Sequence, residues 1–332
     1  MTKLLRFGVL LVPVLVIMAS CSSRDAVTIY SGRDEALVGP LLDRFAEERD
    51  IAIDVRYGDS ADLALLIEQE GEDTPADVFF SQSPGTVGFL SDNGLLASLP
   101  DDLVDKVPSE FESSTEEWVG VTARQRVLVY NEEMVDEADL PSSVLDLTGE
   151  AYRGRVGLAP QNGSFQDFIT AMRQLEGEDV AREWLEGMAD NGSPTYPDNS
   201  SIVDAVARGE IPMGLVNHYY NFRYLDEDPD APSRNYIFPG DDVGALLIAS
   251  TVSVLEPSDD PRAVELVEFL LEDETQEYFA EETFEYPLVE GIEPAADLPP
   301  LASLDVPDYS IQDLGGGLER TVELIAESGL DS

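Results

Sequence analysis

The chain has 332 residues, of which 43% are hydrophobic and 26% charged, as is usual for a globular protein. This composition excludes a fibrous or wholly disordered chain. The charge is unusual, because 68 acidic residues against 19 lysines and arginines give a formal net charge of −49. Such a chain repels phosphate backbones, so we expect no nucleic-acid partner. The acidic residues are spread along the chain, which is typical of a solvated surface in a salty medium.

The first twenty residues predict a secretory signal peptide. Lys3 and Arg6 are the only charges there, and the apolar run 7–18 is too short to span a bilayer well. The only cysteine, Cys21, follows directly and can form no intramolecular disulfide. This order resembles the lipobox of bacterial lipoproteins, whose signal is cleaved before a cysteine that carries diacylglycerol. The alternative is an ordinary signal peptide with an incidental cysteine. We expect an exported, lipid-tethered chain with a formal net charge of −51, since cleavage removes two positive charges.

Strand and helix patterns alternate through the first part of the chain. Segments 27–30, 51–57 and 77–80 are predicted strands, and apolar residues at helical spacing around 37–45 and 63–67 predict helices between them. Such alternation with short connections predicts an α/β protein with an open sheet. Ligands bind such sheets at the carboxyl ends of the strands, which are the turns after residues 30 and 80.

A second set of elements begins near residue 126. We predict strands at 127–130, 155–158, 213–216 and 244–255, and helices at 164–175, from 202 onward, and over 261–284. The Pro-rich acidic stretch 293–307 is predicted to be a surface connection. Two α/β units in one exported chain suggest a ligand held between two lobes that close around it.

The sequence offers little for catalysis. It contains one histidine, His218, and no Gly-x-Ser-x-Gly, His-Glu-x-x-His, phosphate-binding loop or Gly-x-Gly-x-x-Gly motif. Zinc sites with several histidine or cysteine ligands are excluded. With 68 acidic residues, carboxylate pairs carry no information. We therefore expect a protein that is not an enzyme, with a carboxylate-dependent hydrolase as an alternative.

The most informative local run is 217–220, Asn-His-Tyr-Tyr, at the end of a predicted apolar strand. Phenolate oxygen is a hard, anionic donor that suits Fe³⁺ better than thiolate does. A free tyrosine has a pKa of about 10, so a highly charged metal must displace the proton. The alternative for Tyr219 and Tyr220 is aromatic packing.

The ordered set of motifs resembles the periplasmic ferric-iron-binding proteins of bacterial ABC importers. The resemblance covers essentially the whole chain after the signal and rests on residues 27–32, 75–81, 126–130, 199–200, 217–220, 244–246 and 285–288. It implies a two-lobed periplasmic-binding-protein fold of type II, transferrin-like, with the ligand cleft between the lobes. It further implies a monomer facing the periplasm or the extracellular side, Tyr219 and Tyr220 as iron ligands, and an ABC permease as partner. An oxyanion or small organic acid in the same fold is the alternative ligand.

Two positions in the first lobe depart from the best-known members of that family. Asp34, next to Arg33, stands where they carry a histidine, and Gln82 stands where they carry a glutamate. The carboxylate of Asp34 could coordinate iron, or it could cap the following helix. Gln82 is a neutral and weaker donor.

The family also uses a synergistic anion, carbonate or phosphate, to complete the iron coordination. The matching loop precedes the helix predicted at 164–175, where free N–H groups bind anions readily. Arg33 and Arg124 could neutralise the anion, and a strand-edge salt bridge is the alternative for Arg124. The expected anion-binding or supporting residues are Arg33, Gln82, Arg124, Asn162, Gly163, Ser164, Asn199 and Asn217.

These expectations divide the chain into a signal and two lobes. We predict a signal at 1–20, lobe one at 24–124 plus 247–295, and lobe two at 125–246 plus 296–332. The crossings between lobes are expected near Arg124 and Leu246, because a hinge needs extended segments passing between lobes.

Overall fold

The computed structural model describes residues 26–295, 298–304, 306–307, 309, 314 and 317–330. The predicted signal and Cys21 lie outside these residues, as do parts of the predicted connection 293–307. In the described part of the chain, no helix is long and apolar enough to cross a membrane.

The chain forms a mixed α/β structure. The strands are β1 (Val27–Ser31), β2 (Ile53–Tyr57), β3 (Val78–Ser81), β4 (Val119–Asn131), β5 (Val156–Gly157), β6 (Met213–Asn217), β7 (Ser233–Tyr236), β8 (Leu247–Val254) and β9 (Tyr286–Pro287). The helices are α1 (Glu35–Arg49), α2 (Ser60–Glu70), α3 (Pro84–Asp92), α4 (Asp101–Val104), α5 (Gly163–Leu175), α6 (Glu178–Asp190), α7 (Asn199–Ala207), α8 (His218–Glu227), α9 (Pro261–Leu270), α10 (Asp273–Glu282) and α11 (Leu318–Ser328).

The first sheet begins as the alternating pattern predicts. Strand β1 lies between β2 and β3 and pairs with both in parallel. The connecting helix α1 begins after Asp34, whose side chain accepts a hydrogen bond from the N–H of Ala36, and it buries the apolar residues of one face. The carboxyl ends of β1 and β3 therefore bring the residues after Ser31 and Ser81 to the same edge of the sheet.

Strand β4 belongs to two sheets, and the strand order across both is β2-β1-β3-β8-β4-β6-β5. From Val119 to Gln125 it pairs with β8, which completes the first sheet together with β9. From Arg126 to Asn131 it pairs with β6 and β7, which with β5 form the second sheet. The change of partner falls where the N–H of Arg126 bonds to the carbonyl of Leu246 at 2.8 Å. The predicted lobe boundaries stay a prediction, and this change of partner supports them.

Some element boundaries differ from the sequence-based prediction. The strand predicted at 127–130 is the second half of the longer β4. The strand predicted from 244 starts at Leu247, because Asp242 caps a short 3-10 turn ahead of it. The single helix predicted over 261–284 is wrong, since α9 and α10 are separate. The side chain of Gln276 donates to the carbonyl of Leu270 at 2.9 Å, which satisfies an end group of α9 and stabilises the break.

Candidate metal and anion site

Tyr219 and Tyr220, here called the tyrosine pair, lie in the first turn of α8, directly after the fully buried strand β6. The prediction that they end a strand is wrong. Their rings stack with centroids 4.2 Å apart and an angle of 28° between planes. Tyr219 is fully buried and Tyr220 is 7% exposed. Among the described residues the hydroxyl of Tyr219 has no hydrogen-bond partner, which is unusual for a buried phenol.

Both phenols are held in the neutral form. Burial raises the pKa of Tyr219 well above its usual value of 10, and the charges of Tyr220 and Glu285 raise it further. Burial also raises the pKa of Tyr220, whereas the neighbouring Tyr219 hydroxyl and Arg33 act in the opposite direction. A ligand must therefore carry a high positive charge to displace these protons.

His218 precedes the tyrosine pair and is engaged through both ring nitrogens. Nδ1 accepts a hydrogen bond from the N–H of Gln125 at 3.1 Å, so Nε2 carries the proton and donates to the carbonyl of Phe284 at 2.9 Å. Burial lowers the pKa of His218 to about 4. The imidazole is thus neutral and joins the start of α8 to β4 and to the segment before β9. With neither nitrogen free, it is not a metal donor in this arrangement.

Three arginines, Arg33, Arg124 and Arg126, are buried beside the tyrosine pair and are called the buried arginines. Their exposed fractions are 2%, 0% and 1%. Each has one nitrogen without a hydrogen-bond partner among the described residues, namely Nε, Nη1 and Nη2 respectively. Buried, partnerless donors of this kind are expected where a ligand completes their hydrogen bonding.

The pKa values of the buried arginines reflect their mutual repulsion and their counter-charges. For Arg33, burial lowers the pKa, but Glu285 and the tyrosine pair together raise it by more, so that the net shift is upward. For Arg124, burial and the charge of Arg33 lower the pKa. Burial and Arg124 together lower the pKa of Arg126 to about 9. All three remain charged at neutral pH.

The start of α5 and the loop before it contact Arg124 and Asn217 through Ser164. Asn162 caps the helix by accepting a bond from the N–H of Ser164 at 3.1 Å. The Ser164 hydroxyl accepts bonds from Arg124 Nη2 and from Asn217 Nδ2, each at 3.1 Å. Since these donors occupy its lone pairs, the hydroxyl hydrogen is available for an acceptor. Arg124 bonds Ser164 rather than forming the strand-edge salt bridge considered as its alternative.

Of the remaining predicted residues, Gly163 and Asn217 lie at the same loop, and Asn199 lies at the start of another helix. Gly163 is the first residue of α5, and a Cβ there would lie 3.5 Å from the Cβ of Ser83. Asn217 also accepts a bond from Arg126 Nη1 at 3.1 Å through its Oδ1. Asn199 begins α7, is 1% exposed, and its Nδ2 has no partner among the described residues. The structure therefore gathers amide, hydroxyl and guanidinium donors near the start of α5.

The first-lobe candidates are more exposed. Asp34 is exposed and its Oδ1 accepts from the N–H of Ala36 at 2.9 Å, which is the helix-capping arrangement. Its charge nevertheless acts to raise the pKa of Tyr220, so it lies near the tyrosine pair. Gln82 is half-buried, and its backbone N–H bonds to the Ser60 hydroxyl at 3.0 Å.

Sequence reasoning missed two buried carboxylates of this site, and it did not single out Arg126. Glu285 is fully buried and pairs with Arg33 at 2.5 Å. Asp167 on α5 is 1% exposed and accepts a 2.5 Å bond from the Ser83 hydroxyl. Arg126 and Glu285 lie in the motifs 126–130 and 285–288 on which the resemblance rests, but neither residue was given a role in the site. Asp167 carries no signal in a chain with 68 acids.

The described part of the chain contains no group of three or more histidine, cysteine, aspartate or glutamate residues arranged to hold a metal ion. A centre built from these residue types alone is therefore not found there. The tyrosine pair is a different kind of donor set, and its chemistry favours a hard, highly charged cation.

The α/β fold has two sheets that share β4 and a set of buried polar side chains beside the tyrosine pair, and it matches the two-lobed fold of periplasmic binding proteins. Residues 73–311 match the family model described as bacterial extracellular solute-binding protein. The chain belongs to this family.

Individual relatives agree in sequence and in structure. The chain is 30% identical over 317 residues to a Fe(3+)-binding periplasmic protein of Serratia marcescens, covering 94% of this chain and 92% of the relative. It is also 30% identical to a major ferric iron-binding protein of Neisseria meningitidis, covering 92% and 93% of the two chains. The crystal structure of iron-bound HitA from Pseudomonas aeruginosa matches with a TM-score of 0.88 and 34% identity, covering 92% and 99%.

Proposed function

We propose that this chain captures Fe³⁺ outside the cytoplasm and delivers it to an ABC importer. The observation that carries the proposal is the stacked tyrosine pair, with the hydroxyl of Tyr219 buried and without a partner. Two phenolates supply hard, anionic donors, and a trivalent cation can displace their protons despite the raised pKa values. The names of the relatives from Serratia and Neisseria support iron as the solute.

A synergistic anion is the second part of the proposal. When both phenolates are ionised, Fe³⁺ and the three buried arginines carry six positive charges, and the phenolates, Glu285 and Asp167 carry four negative ones. The net charge is plus two, or plus one with Asp34 as a ligand. Uncompensated charge in a closed cleft is costly, so a dianion such as carbonate or hydrogen phosphate fits. It would receive bonds from the partnerless nitrogens of the buried arginines and from the Ser164 hydroxyl.

Asp34 is the proposed first-lobe ligand, and Gln82 a supporting contact. The proximity of Asp34 to Tyr220 supports this role, although one of its carboxylate oxygens caps α1. The chain is further proposed to be an exported monomer anchored by lipid at Cys21, with the signal at 1–20 removed. The periplasmic relative supports export.

A second candidate function is capture of an oxyanion or small organic acid without iron. The three partnerless guanidinium nitrogens favour it, because they would bind such a ligand directly. The hydrolase alternative gains no such support. Glu285 is bonded to Arg33, and Asp167 accepts from the Ser83 hydroxyl. No free histidine base stands beside that hydroxyl, because the single histidine, His218, is bonded to backbone groups through both ring nitrogens.

Metal analysis and calorimetric titration of the purified mature chain with ferric citrate, phosphate and carbonate separate these functions. Iron capture predicts a visible tyrosinate-to-iron absorption band that Tyr219→Phe/Tyr220→Phe abolishes. The matched control is Tyr152→Phe, since Tyr152 bonds to the carbonyl of Asp139 away from the cleft. Binding of phosphate with no uptake of iron by the wild-type chain would replace the first function with the second.

A further inference from the structure

The buried ion pair of Arg33 and Glu285 joins residues 252 positions apart in the sequence. Its Nη2–Oε2 distance is 2.5 Å, and the exposed fractions of the two side chains are 1% and 0%. Removing two charges from water is costly, so such a pair often contributes little net stability compared with apolar residues of the same volume. A role in stability is therefore a weak explanation for it.

The backbone around Glu285 fixes the carboxylate in place. The Thr283 hydroxyl lies 3.2 Å from the same Oε2 atom and shares its one hydrogen between this oxygen and the carbonyl of Phe279 at 2.7 Å. Phe284 has a φ of 58°, in the left-handed region that non-glycine residues seldom adopt. The carbonyl of Phe284 accepts the bond from His218 Nε2. The segment that holds Glu285 is thus tied to the residue directly before the tyrosine pair.

The charge of Glu285 reaches the same groups that would hold iron and anion. It acts to raise the pKa values of Tyr219, Arg33 and Arg124, which places it within electrostatic range of all three. One of its oxygens, Oε1, has no hydrogen-bond partner among the described residues. Of the buried arginines, Arg33 alone has a carboxylate directly bonded to it in the described structure.

We propose that Glu285 is a positioning residue that holds Arg33 beside the tyrosine pair and cancels its charge. The cleft then has Arg124 and Arg126 to attract the anion, without a third uncompensated positive charge to repel the metal ion. Glu285 thereby sets the balance between affinity for Fe³⁺ and affinity for the anion. This inference rests on the proposed function, because it assigns Glu285 a part in the same site.

The test is Glu285→Gln, which keeps the shape of the side chain and removes its charge. Phosphate affinity of the iron-free chain should rise by at least about 5-fold, because the cleft becomes more positive. Affinity for iron, supplied as ferric nitrilotriacetate in phosphate-free and carbonate-depleted buffer, should fall by at least about 5-fold for the same reason. A purely structural role predicts that both affinities fall together, and that result would overturn the proposal.

The matched control is Glu272→Gln. Glu272 pairs with Arg49 at the surface, where water and salt screen the same change of charge. Neither affinity should change by more than about 2-fold in this variant. If Glu285→Gln bound phosphate and iron with the same affinities as this control, the proposal would also be overturned.

A double-mutant cycle keeps the test decisive if the single variant folds poorly. Arg33→Gln/Glu285→Gln removes both charges and leaves no unpaired buried ion, so its phosphate affinity should lie closer to wild type than that of Glu285→Gln. A double variant whose phosphate affinity equals that of Glu285→Gln would show that Glu285 does not act by cancelling the charge of Arg33, and would contradict the proposal. If wild type takes up no iron, the proposed function fails, while the phosphate measurements still decide whether Glu285 opposes anion binding.

Discussion

The Ser83 hydroxyl donates a 2.5 Å hydrogen bond to Oδ1 of Asp167, and both residues are 1% exposed. Ser83 precedes α3 at the carboxyl end of β3 in the first sheet, and Asp167 lies on α5 beside the second sheet. In the sequence-based division the two residues belong to different lobes. If that division holds, this contact joins the two lobes next to the loop that begins α5.

The ionisation of Asp167 should make the stability of the folded chain depend on pH. Burial raises its pKa to about 7, with Ser83 and Arg124 acting against the shift. A carboxyl group whose pKa is raised in the folded state stabilises that state below its unfolded pKa, and this contribution is lost as pH rises through about 7. Asp167→Asn should match wild-type stability near pH 4 and exceed it near pH 8 by on the order of 2 kcal/mol.

Denaturant unfolding of both proteins across this pH range measures the difference. Asp179→Asn is the control, because Asp179 has a highly exposed side chain on α6 and pairs with Arg182 one turn away. A constant difference between Asp167→Asn and wild type at all pH values would contradict the assignment of a raised pKa.

Iron affinity should fall in a definite order among site variants. Tyr220→Phe removes an anionic donor and should cause the greatest loss, whereas Gln82→Ala removes a neutral group and should cause the least. Asp34→Asn should fall between them if Asp34 coordinates iron, and should change little if it only caps α1, because asparagine caps helices equally well. Competition with a chelator measures all three, and equal losses for Gln82→Ala and Tyr220→Phe would mean that the ligand set is wrong.

The stability of the chain should rise with salt. The formal net charge of −51 after removal of the signal makes the folded state repel itself, and salt shortens the range of this repulsion to about 3 Å at 1 M. The melting temperature should increase by several degrees between about 0.05 and 1 M KCl. The increase over the same range of NaCl should be about as large, because screening depends on ionic strength and not on the cation. A melting temperature that falls over this range would show that surface ion pairs dominate instead.

The lipid anchor can be tested by fractionation of cells. Cys21→Ala should move the chain from the membrane pellet to the soluble exported fraction, because it removes the proposed site of lipid attachment. A single acyl chain binds only marginally, so stable retention requires the several chains of a lipoprotein. Retention of the variant in the pellet after a high-salt wash would count against modification at Cys21.

The sequence predicted those parts of the molecule whose signals are local. The βαβ start, helix α5 and the importance of the tyrosine pair follow from short periodic patterns and from the chemistry of adjacent phenols. Whether α9 and α10 are one helix depends on Gln276, whose side chain also reaches the carbonyl of Val121 on β4. Such a contact between distant segments leaves no periodic signal in either of them.

The buried charges illustrate the same limit more sharply. Asp167 looks like an ordinary surface acid in the sequence, and the motif 285–288 does not reveal that Glu285 is buried. Only the fold shows that Glu285 is bonded to Arg33 and Asp167 to Ser83. A chain with 68 acidic residues hides the few that are buried among the many that are solvated. The burial of a charge is decided by tertiary packing, which composition and spacing do not contain.

His218 bonds at once to Gln125, the last residue of β4 paired with β8, and to Phe284 before β9, while its own backbone starts α8. A rotation of one sheet against the other must change at least one of these two bonds. Since the chain has a single histidine, its imidazole gives one set of ring nitrogen and proton resonances in an NMR spectrum. The molecule therefore carries a built-in spectroscopic reporter where its two sheets meet, which can follow any rotation of one sheet against the other without an introduced label.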